Sequence, residues 1–585
     1  MPYIITIANG GGRRPDDLPV SRLQQEDTMR YVLAQINPTV GDLDGNSARI
    51  LHALEQAEVY RPDLTVFPML ALTGAPAEDL LLDPDFLTAA ERALQDLAAR
   101  VKGRVLLGAP AHPFFADHPR MLAPIPAENK NARARNAAVL LEDGRIAKIF
   151  TQDAFPAGGA FDLARAFAPG DGDSVFSLNP GAPAIAVALG GARAADAPVQ
   201  IRLNAAPYHR RGLFQSRPET GKFTLECNLC GAQDGVVMAG GSCVTLPDGG
   251  EFRAESFAES LLAVEICPGE KAELLANVPL PPAPGRPAAP ELPRPPADAE
   301  LGEMYGALVT GVGDYVRKNG FPGVLVGLSG GIDSALTAAI AVDALGTDAV
   351  FGVTMPGRYS SRETRDDARI LAENLGIRLE TLPIEKPFSA FSEILTPVLA
   401  GADPRRDPGD LTPQNLQARV RGIYLMTIAN KYGLLVLNTS NKTEGAVGYG
   451  TLYGDLVGGY AAIKDVFKTD VWKLSYYVNA LHGREVIPVS TIERVPSAEL
   501  RENQEDRQSL PDYPVLDPIL EMYLEQRLTF SEITDAGYAP ETVRRVLQLH
   551  ARSEFKRRQG IPGTLLTPPP AGQERRLPAT NKFRP

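Results

Sequence analysis

The stretch "GVLVGLSGGIDSALTAAIAVDALG", from Gly323 to Gly346, constrains the fold more tightly than any other part of the chain. An apolar, strand-like run over Val324–Leu328 breaks on Ser329-Gly330-Gly331. It restarts at Ile332 as an alanine-rich segment long enough for about four helical turns. A strand entering a helix through a tight glycine turn leaves a nest of backbone N–H groups at the positive end of the helix dipole. An anion fits there. A Walker A loop would place a lysine where Ile332-Asp333-Ser334 stands, so the charge is reversed. A carboxylate beside phosphates needs a cation between them, and Asp333 therefore reads as a Mg²⁺ ligand. Ser329 and Ser334 read as hydroxyl donors to the same phosphate group. The competing reading is an ordinary glycine turn with a capping aspartate, and the strand-to-helix position weighs against it.

At 585 residues the chain is too long for one core. The segment "VPLPPAPGRPAAPELPRPPADAE", Val278 to Glu300, is too rich in proline to join a helix or a central strand. It predicts a stiff linker over 278–298, between a unit at 29–277 and a second unit at 299–585. Residues 1–28 read as an extension, disordered or upstream of the true start. Their Asp16, Asp17, Glu26 and Asp27 are wrong for a transit peptide.

Both units alternate short apolar runs with helical periodicity, which predicts α/β folds. In the first, strands are expected at 31–36, 64–67, 105–107, 137–141, 185–189 and 201–203, with helices at 48–59 and 87–102. In the second, strands at 324–328, 350–354 and 434–438 alternate with helices at 363–375 and 416–432. That pattern predicts a doubly wound parallel sheet, with ligands at the carboxyl ends of its strands. Ser360 and Glu363 form an expected capping box ahead of a buried stripe at Ala368, Leu371, Ala372 and Leu375.

The formal charge of −12 argues against a nucleic-acid-coating role. No apolar run approaches the roughly 20 residues of a membrane span. Four cysteines make no disulfide scaffold, and a cytoplasmic location is expected. Cys227 and Cys230 form one CxxC, with Cys243 and Cys267 following. Without a second pair or a nearby histidine, buried thiols are expected rather than zinc.

The pattern "SGGIDS" resembles the pyrophosphate-binding loop of ATP pyrophosphatase-type amide ligases. Further blocks narrow the family: "MPGRYSSRETRDDARILAENLGI" (355–377), "NTSNKTEGAVGYGTLYGDLVGGYAAIKDVFKTDV" within 415–471, "PSAELRENQEDRQSLPDYPVLD" (496–517) and "FKRRQGIPG" (555–563). Together they are similar to the synthetase domain of glutamine-dependent NAD⁺ synthetase. The resemblance implies a Rossmann-like fold in which Gly327, Leu328, Ser329, Gly330, Gly331, Ile332, Asp333 and Ser334 hold ATP, with Thr439 and Lys468 as further ATP contacts. It implies that Asp333 and Glu444 share Mg²⁺, and that Asn415, Arg421, Glu444 and Lys556 contact deamido-NAD⁺. Read without the family, Arg421 is a solvated helix residue and Lys556 part of a surface cluster with Arg557 and Arg558. GMP and asparagine synthetases share the loop but lack "LYGDLVGGYAAIKDV".

Residues 29–270 resemble the nitrilase-like α/β sandwich that frees ammonia from glutamine with a Glu-Lys-Cys triad in that family. The quoted anchors are "LAQINPTVGDLDGN", "NAAVLLEDGRI" and "LNAAPYH". Placed on flanking anchors, the triad positions fall on Met69 in "PMLALTG", Gln152 in "TQDAFP" and Gly190 in "LGGA". A thioether takes no proton, an amide carries no full charge, and glycine has no side chain. The expectation is an inactive glutaminase domain on an ATP-dependent NAD⁺ synthetase that takes ammonia, free or handed over by another protein, in a homo-oligomer. Two alternatives stand beside it. One is glutamine use through a non-standard or partner-supplied glutaminase, and the other is a sensor or scaffold role for the front domain.

Overall fold

The computed structural model describes residues 28–117, 125–129, 132–155, 162–170, 174–210, 221–267, 271–282, 299–400, 410–567 and 577–580. The expected extension and most of the expected linker lie outside the described residues.

The front part runs through β1 (Met29–Gln35), β2 (Leu64–Val66), β3 (Arg104–Ala111), β4 (Arg135–Glu142) and β5 (Arg145–Thr151). It continues with β6 (Val175–Phe176), β7 (Ile185–Leu189), β8 (Val199–Asn204), β9 (Phe223–Asn228), β10 (Cys230–Gln233) and β11 (Val236–Ala239). The last four strands are β12 (Cys243–Thr245), β13 (Glu251–Arg253), β14 (Ser260–Cys267) and β15 (Lys271–Pro279). Among the described residues these form a sheet ordered β15-β14-β1-β2-β3-β4-β5, another ordered β13-β12-β9-β8-β7-β6, and a separate β10-β11 pair. Each sheet has a parallel core of three strands, β1-β2-β3 and β7-β8-β9. Their inner faces share one buried core that includes Leu33, Val66, Leu106, Val139, Ile201 and Leu225. The helices Leu43–Ala57 and Pro84–Arg100 accompany the first sheet and bury one apolar stripe each. This is an α/β sandwich, the expected fold class.

β15 extends to Pro279, two residues into the predicted linker. Proline is tolerated there because β15 is an edge strand, where a missing N–H leaves no ladder bond unmade.

The back part adds β16 (Val324–Gly327), β17 (Val350–Thr354), β18 (Arg378–Thr381), β19 (Leu435–Asn438) and β20 (Tyr460–Ala461). All five are parallel, in the order β18-β17-β16-β19-β20. The order reverses direction at β16, so the loops leaving β16 and β19 open side by side at a topological switch point. Helix Ile332–Leu345 is almost wholly buried behind this sheet, which explains its run of alanine and isoleucine in place of an amphipathic stripe. Helix Arg362–Leu375 buries the predicted Ala368, Leu371, Ala372 and Leu375. Its cap, however, is Ser361, whose side chain accepts from Thr364 N. Ser360 instead accepts from Gly357 N within the preceding turn, so the expected box with Glu363 does not form and the cap moves to the next residue.

The two parts are stitched together near residue 565. Gly563 bridges Ala461 at the edge of the parallel sheet, and Leu565 bridges Val236 of the front part. Thr564 fits between them only because Gly311 has no side chain: a Cβ there would lie 2.4 Å from its hydroxyl.

Candidate active sites

The loop after β16 is shaped by Gly330, whose φ of +82° is left-handed and whose Cβ would lie 2.1 Å from Thr364 O. Only glycine fits. Ser329 and Ser334 close the turn: their hydroxyls are 3.2 Å apart, Gly331 N donates to Ser329 Oγ, and Ser334 Oγ donates to Gly331 O. Gly327 ends β16, Leu328 is buried, and Ile332 and Asp333 open the helix.

From the neighbouring strand β19 the chain passes Thr439 into the short helix Lys442–Val447. Asn441 caps it, accepting from Glu444 N at 2.9 Å, while Glu444 Oε2 accepts from Asn441 N at 3.3 Å. The Asn441 amide also donates to Asp333 Oδ1 at 2.8 Å. One asparagine thus holds both expected acidic residues. Lys468, first residue of helix Lys468–His482, is buried and ion-paired to Asp333 Oδ2. Burial opposes its charge, but Asp333 and Glu444 outweigh burial and hold its ammonium above the ordinary lysine range. Burial first, then the Asp333 charge, pushes the Glu444 carboxyl well above the usual carboxylate range. Two hard-oxygen donors crowded in this way suit Mg²⁺, which takes few protein ligands and fills its shell with water and phosphate oxygens. Among the described residues no cluster of three or more acidic, histidine or cysteine side chains offers a fuller cage.

Asn415, Arg421 and Lys556 come together around the loop 448–455. Asn415 Oδ1 accepts from Thr451 Oγ1 at 2.9 Å. Lys556 Nζ donates to Gly448 O and Gly450 O at 2.8 and 2.6 Å. Arg421 is partly buried rather than a freely solvated helix residue: its Nε donates to Met355 O at 3.0 Å. Burial lowers both cations' affinity for their proton, and Asp455 acts in the opposite sense on each. Lys556 is half-buried, whereas Arg558 is exposed, so the three basic residues are not one surface cluster.

In the front part, Met69, Gln152 and Gly190 are also brought together. Gly190 directly follows β7 with φ +54°, and a Cβ on it would lie 3.3 Å from Met69 Sδ. Between Met69 and Gln152 stands Asn136, which sequence reasoning passed over. Its Nδ2 donates to Met69 Sδ at 3.1 Å and to Gln152 Oε1 at 2.8 Å, while its Oδ1 is buried without a partner. Cys227 lies beneath, its Sγ donating to Val66 O at 3.3 Å. Burial pushes the Cys227 and Cys230 thiols up and that of Cys243 up to about 12. None of these three is a thiolate at neutral pH.

A parallel sheet with a glycine loop and paired carboxylates at its switch point defines a nucleotide-binding α/β enzyme. The NAD synthase family model matches residues 304–560. The glutamine-dependent NAD⁺ synthetase of Thermotoga maritima is 37% identical over 599 residues, covering 95% of this chain and 99% of that protein. The enzyme of the same name from Rhodobacter capsulatus is 38% identical over 581 residues, with the same coverage. The glutamine-dependent NAD⁺ synthetase of Acinetobacter baumannii, solved with ADP, superposes with TM-score 0.66 at 33% identity over 95% of this chain and 99% of that one. The chain belongs to the glutamine-dependent NAD⁺ synthetase family. No described helix is long and apolar enough to cross a membrane.

Proposed function

We propose that the back part adenylates the nicotinate carboxylate of deamido-NAD⁺ with ATP, and that ammonia then displaces AMP to give NAD⁺, with diphosphate as the other product. The observation that carries this reading is the Asn441 amide fastening Asp333 beside Glu444 at the mouth of the glycine loop. The N–H groups at the start of helix Ile332–Leu345 and the Ser329 and Ser334 hydroxyls would take the β,γ-phosphates. Asp333 and Glu444 would hold Mg²⁺, which when bound neutralises charge on the departing diphosphate. Lys468 adds a fixed positive charge on the same side. Thr439, between β19 and helix Lys442–Val447, would contact the nucleotide, and Asn415, Arg421 and Lys556 would seat the dinucleotide. A neutral ammonia nucleophile needs no general base.

The nitrogen source has two readings. The names of the relatives favour glutamine, more strongly than they favour the ammonia dependence expected from the sequence. The thioether, amide and bare glycine around Asn136 favour the view that residues 69, 152 and 190 do not hydrolyse it. A glutamine-dependent enzyme supplied by a non-standard or partner glutaminase accommodates both, and direct use of ammonia is the second reading. Purified chain with ATP, Mg²⁺ and deamido-NAD⁺ should form NAD⁺ with ammonium. Turnover on glutamine alone would assign amide hydrolysis to a non-standard group of this chain, and its absence would leave a partner glutaminase or direct use of ammonia. Failure with both would remove the synthetase reading.

A further inference from the structure

Arg210 belongs to the front part, yet its guanidinium ends among carboxylates of the back part. Its Nη1 reaches Asp470 Oδ2 at 3.1 Å, and its Nη2 reaches Glu521 Oε1 at 3.0 Å and Glu525 Oε2 at 2.9 Å. The side chain is 9% exposed, and its backbone N–H is fixed on Leu566 O at 2.8 Å. Glu525 passes the connection on, because its other oxygen accepts from Lys442 Nζ at 2.8 Å. Lys442 directly follows Asn441, the residue that holds Asp333 and Glu444. Asp470 lies two residues beyond Lys468, which pairs with Asp333. Arg210 and Lys442 also both face the Phe467 ring, at 5.1 and 4.9 Å from its centre, and Phe467 is the residue just before Lys468. Asp517 joins the same two helix starts from the other side, accepting from Thr443 Oγ1 and from Thr469 N.

We infer that Arg210 is a cross-domain positioning residue for the ATP site: it sets the starts of helices Lys442–Val447 and Lys468–His482, and through them the spacing of Asp333, Glu444 and Lys468. The inference rests on the proposed assignment of those residues to ATP and Mg²⁺. Its physical ground is the charge that Arg210 supplies to a partly buried acidic cluster. Without it Asp470 keeps only Lys473 among its ion pairs to the described residues, and Glu525 competes more strongly with Asp465 and Thr567 for Lys442. A front part without amide-cleaving chemistry would then still be needed by the ligase.

The test is calorimetric binding of ATP with Mg²⁺ to the full chain, together with the KM for deamido-NAD⁺ measured with ammonium. Arg210→Gln should weaken nucleotide binding about tenfold, within the range by which network residues change coupling, and leave the dinucleotide KM unchanged. Arg210→Lys should recover part of the loss. Asn37→Ala, which breaks a different junction between the two parts at Asp314 and Lys318, should bind nucleotide as the wild type does. Should Arg210→Gln fail to fold, Glu525→Gln keeps the shape of the network and decides by the same criteria. Wild-type nucleotide affinity in the glutamine variants, or an equal loss in Asn37→Ala, overturns the inference. Failure of the wild-type chain to bind ATP would instead overturn the site assignment beneath it.

Discussion

The carboxamide of Asn136 donates to the thioether of Met69 across 3.1 Å, in the position where the family resemblance expects a proton-transferring glutamate. The same amide group holds Gln152. Met69, Asn136 and Gln152 form a neutral hydrogen-bonded chain, packed closely enough that Met69 Sδ lies 3.3 Å from where a Cβ on residue 190 would begin.

That geometry predicts the outcome of rebuilding the site. The triple substitution Met69→Glu, Gln152→Lys, Gly190→Cys should release ammonia from glutamine, and no single one of the three should. Loss of a nucleophile alone costs on the order of 10⁶ in rate, so partial repair stays near background. Detection of glutamate by a coupled dehydrogenase assay reads the result. Equal activity in the unaltered chain would show a nucleophile elsewhere.

Thiol labelling tests that second possibility directly. Burial keeps the Cys227, Cys230 and Cys243 thiols protonated. Brief iodoacetamide treatment of the native protein near neutral pH should mark Cys267 alone, and all four cysteines once the chain is unfolded. Peptide mass analysis would expose a reactive Cys227 at once.

At the nucleotide loop, Gly330→Ala should destabilise the protein by more than the about 1–3 kcal/mol of left-handed strain, since the added methyl also meets the Thr364 carbonyl. Gly331→Ala, with ordinary φ and only Ser329 Oγ within reach at 3.2 Å, should be milder. Thermal melts of the two variants should separate clearly. Asp333→Asn should leave the fold intact and lower kcat by about 10²-fold or more, the scale for removing one electrostatic contact to a transition state.

Asp455 supplies a pH test. Burial raises its carboxyl above the ordinary 3.8, against the pull of Thr451 and Lys556. The folded protein therefore favours the protonated form. This contribution to stability is full below the unfolded value and is lost as pH rises through the folded one. Asp455→Asn keeps an acceptor for Thr451 N but cannot ionise. Relative to wild type it should gain stability as pH rises from 4 to 7, by an amount kept small because Asp455 as a whole is exposed and water screens its charge. A constant difference in melting temperature across that range would refute the assignment.

Much of this arrangement is legible in the sequence because it is local. The strand, glycine turn and buried helix at 323–346 announce themselves through composition, and β17 and β7 fall on their expected residues. The stripe at Ala368–Leu375 needed only helical spacing, although two adjacent serines competed for its cap and Ser361 prevailed. Asn441 could have been found: Asn-x-x-Glu directly after an apolar strand is a capping box. Asn136 and Arg210 could not. Their partners stand 16 and 67 residues away in one case and 260 and 315 in the other, and only the packed sheets bring them close. The edge strand β15 hid its last two residues among prolines for a related reason, since edge position is a property of the assembled sheet.

The bridges at Gly563 and Leu565 carry a consequence for biogenesis. Residues 563–565 are synthesised after both of the strands that they bridge, at Val236 and Ala461. The two halves can meet first through Asn37 with Asp314 and Lys318, and the clasp then closes over a junction already made.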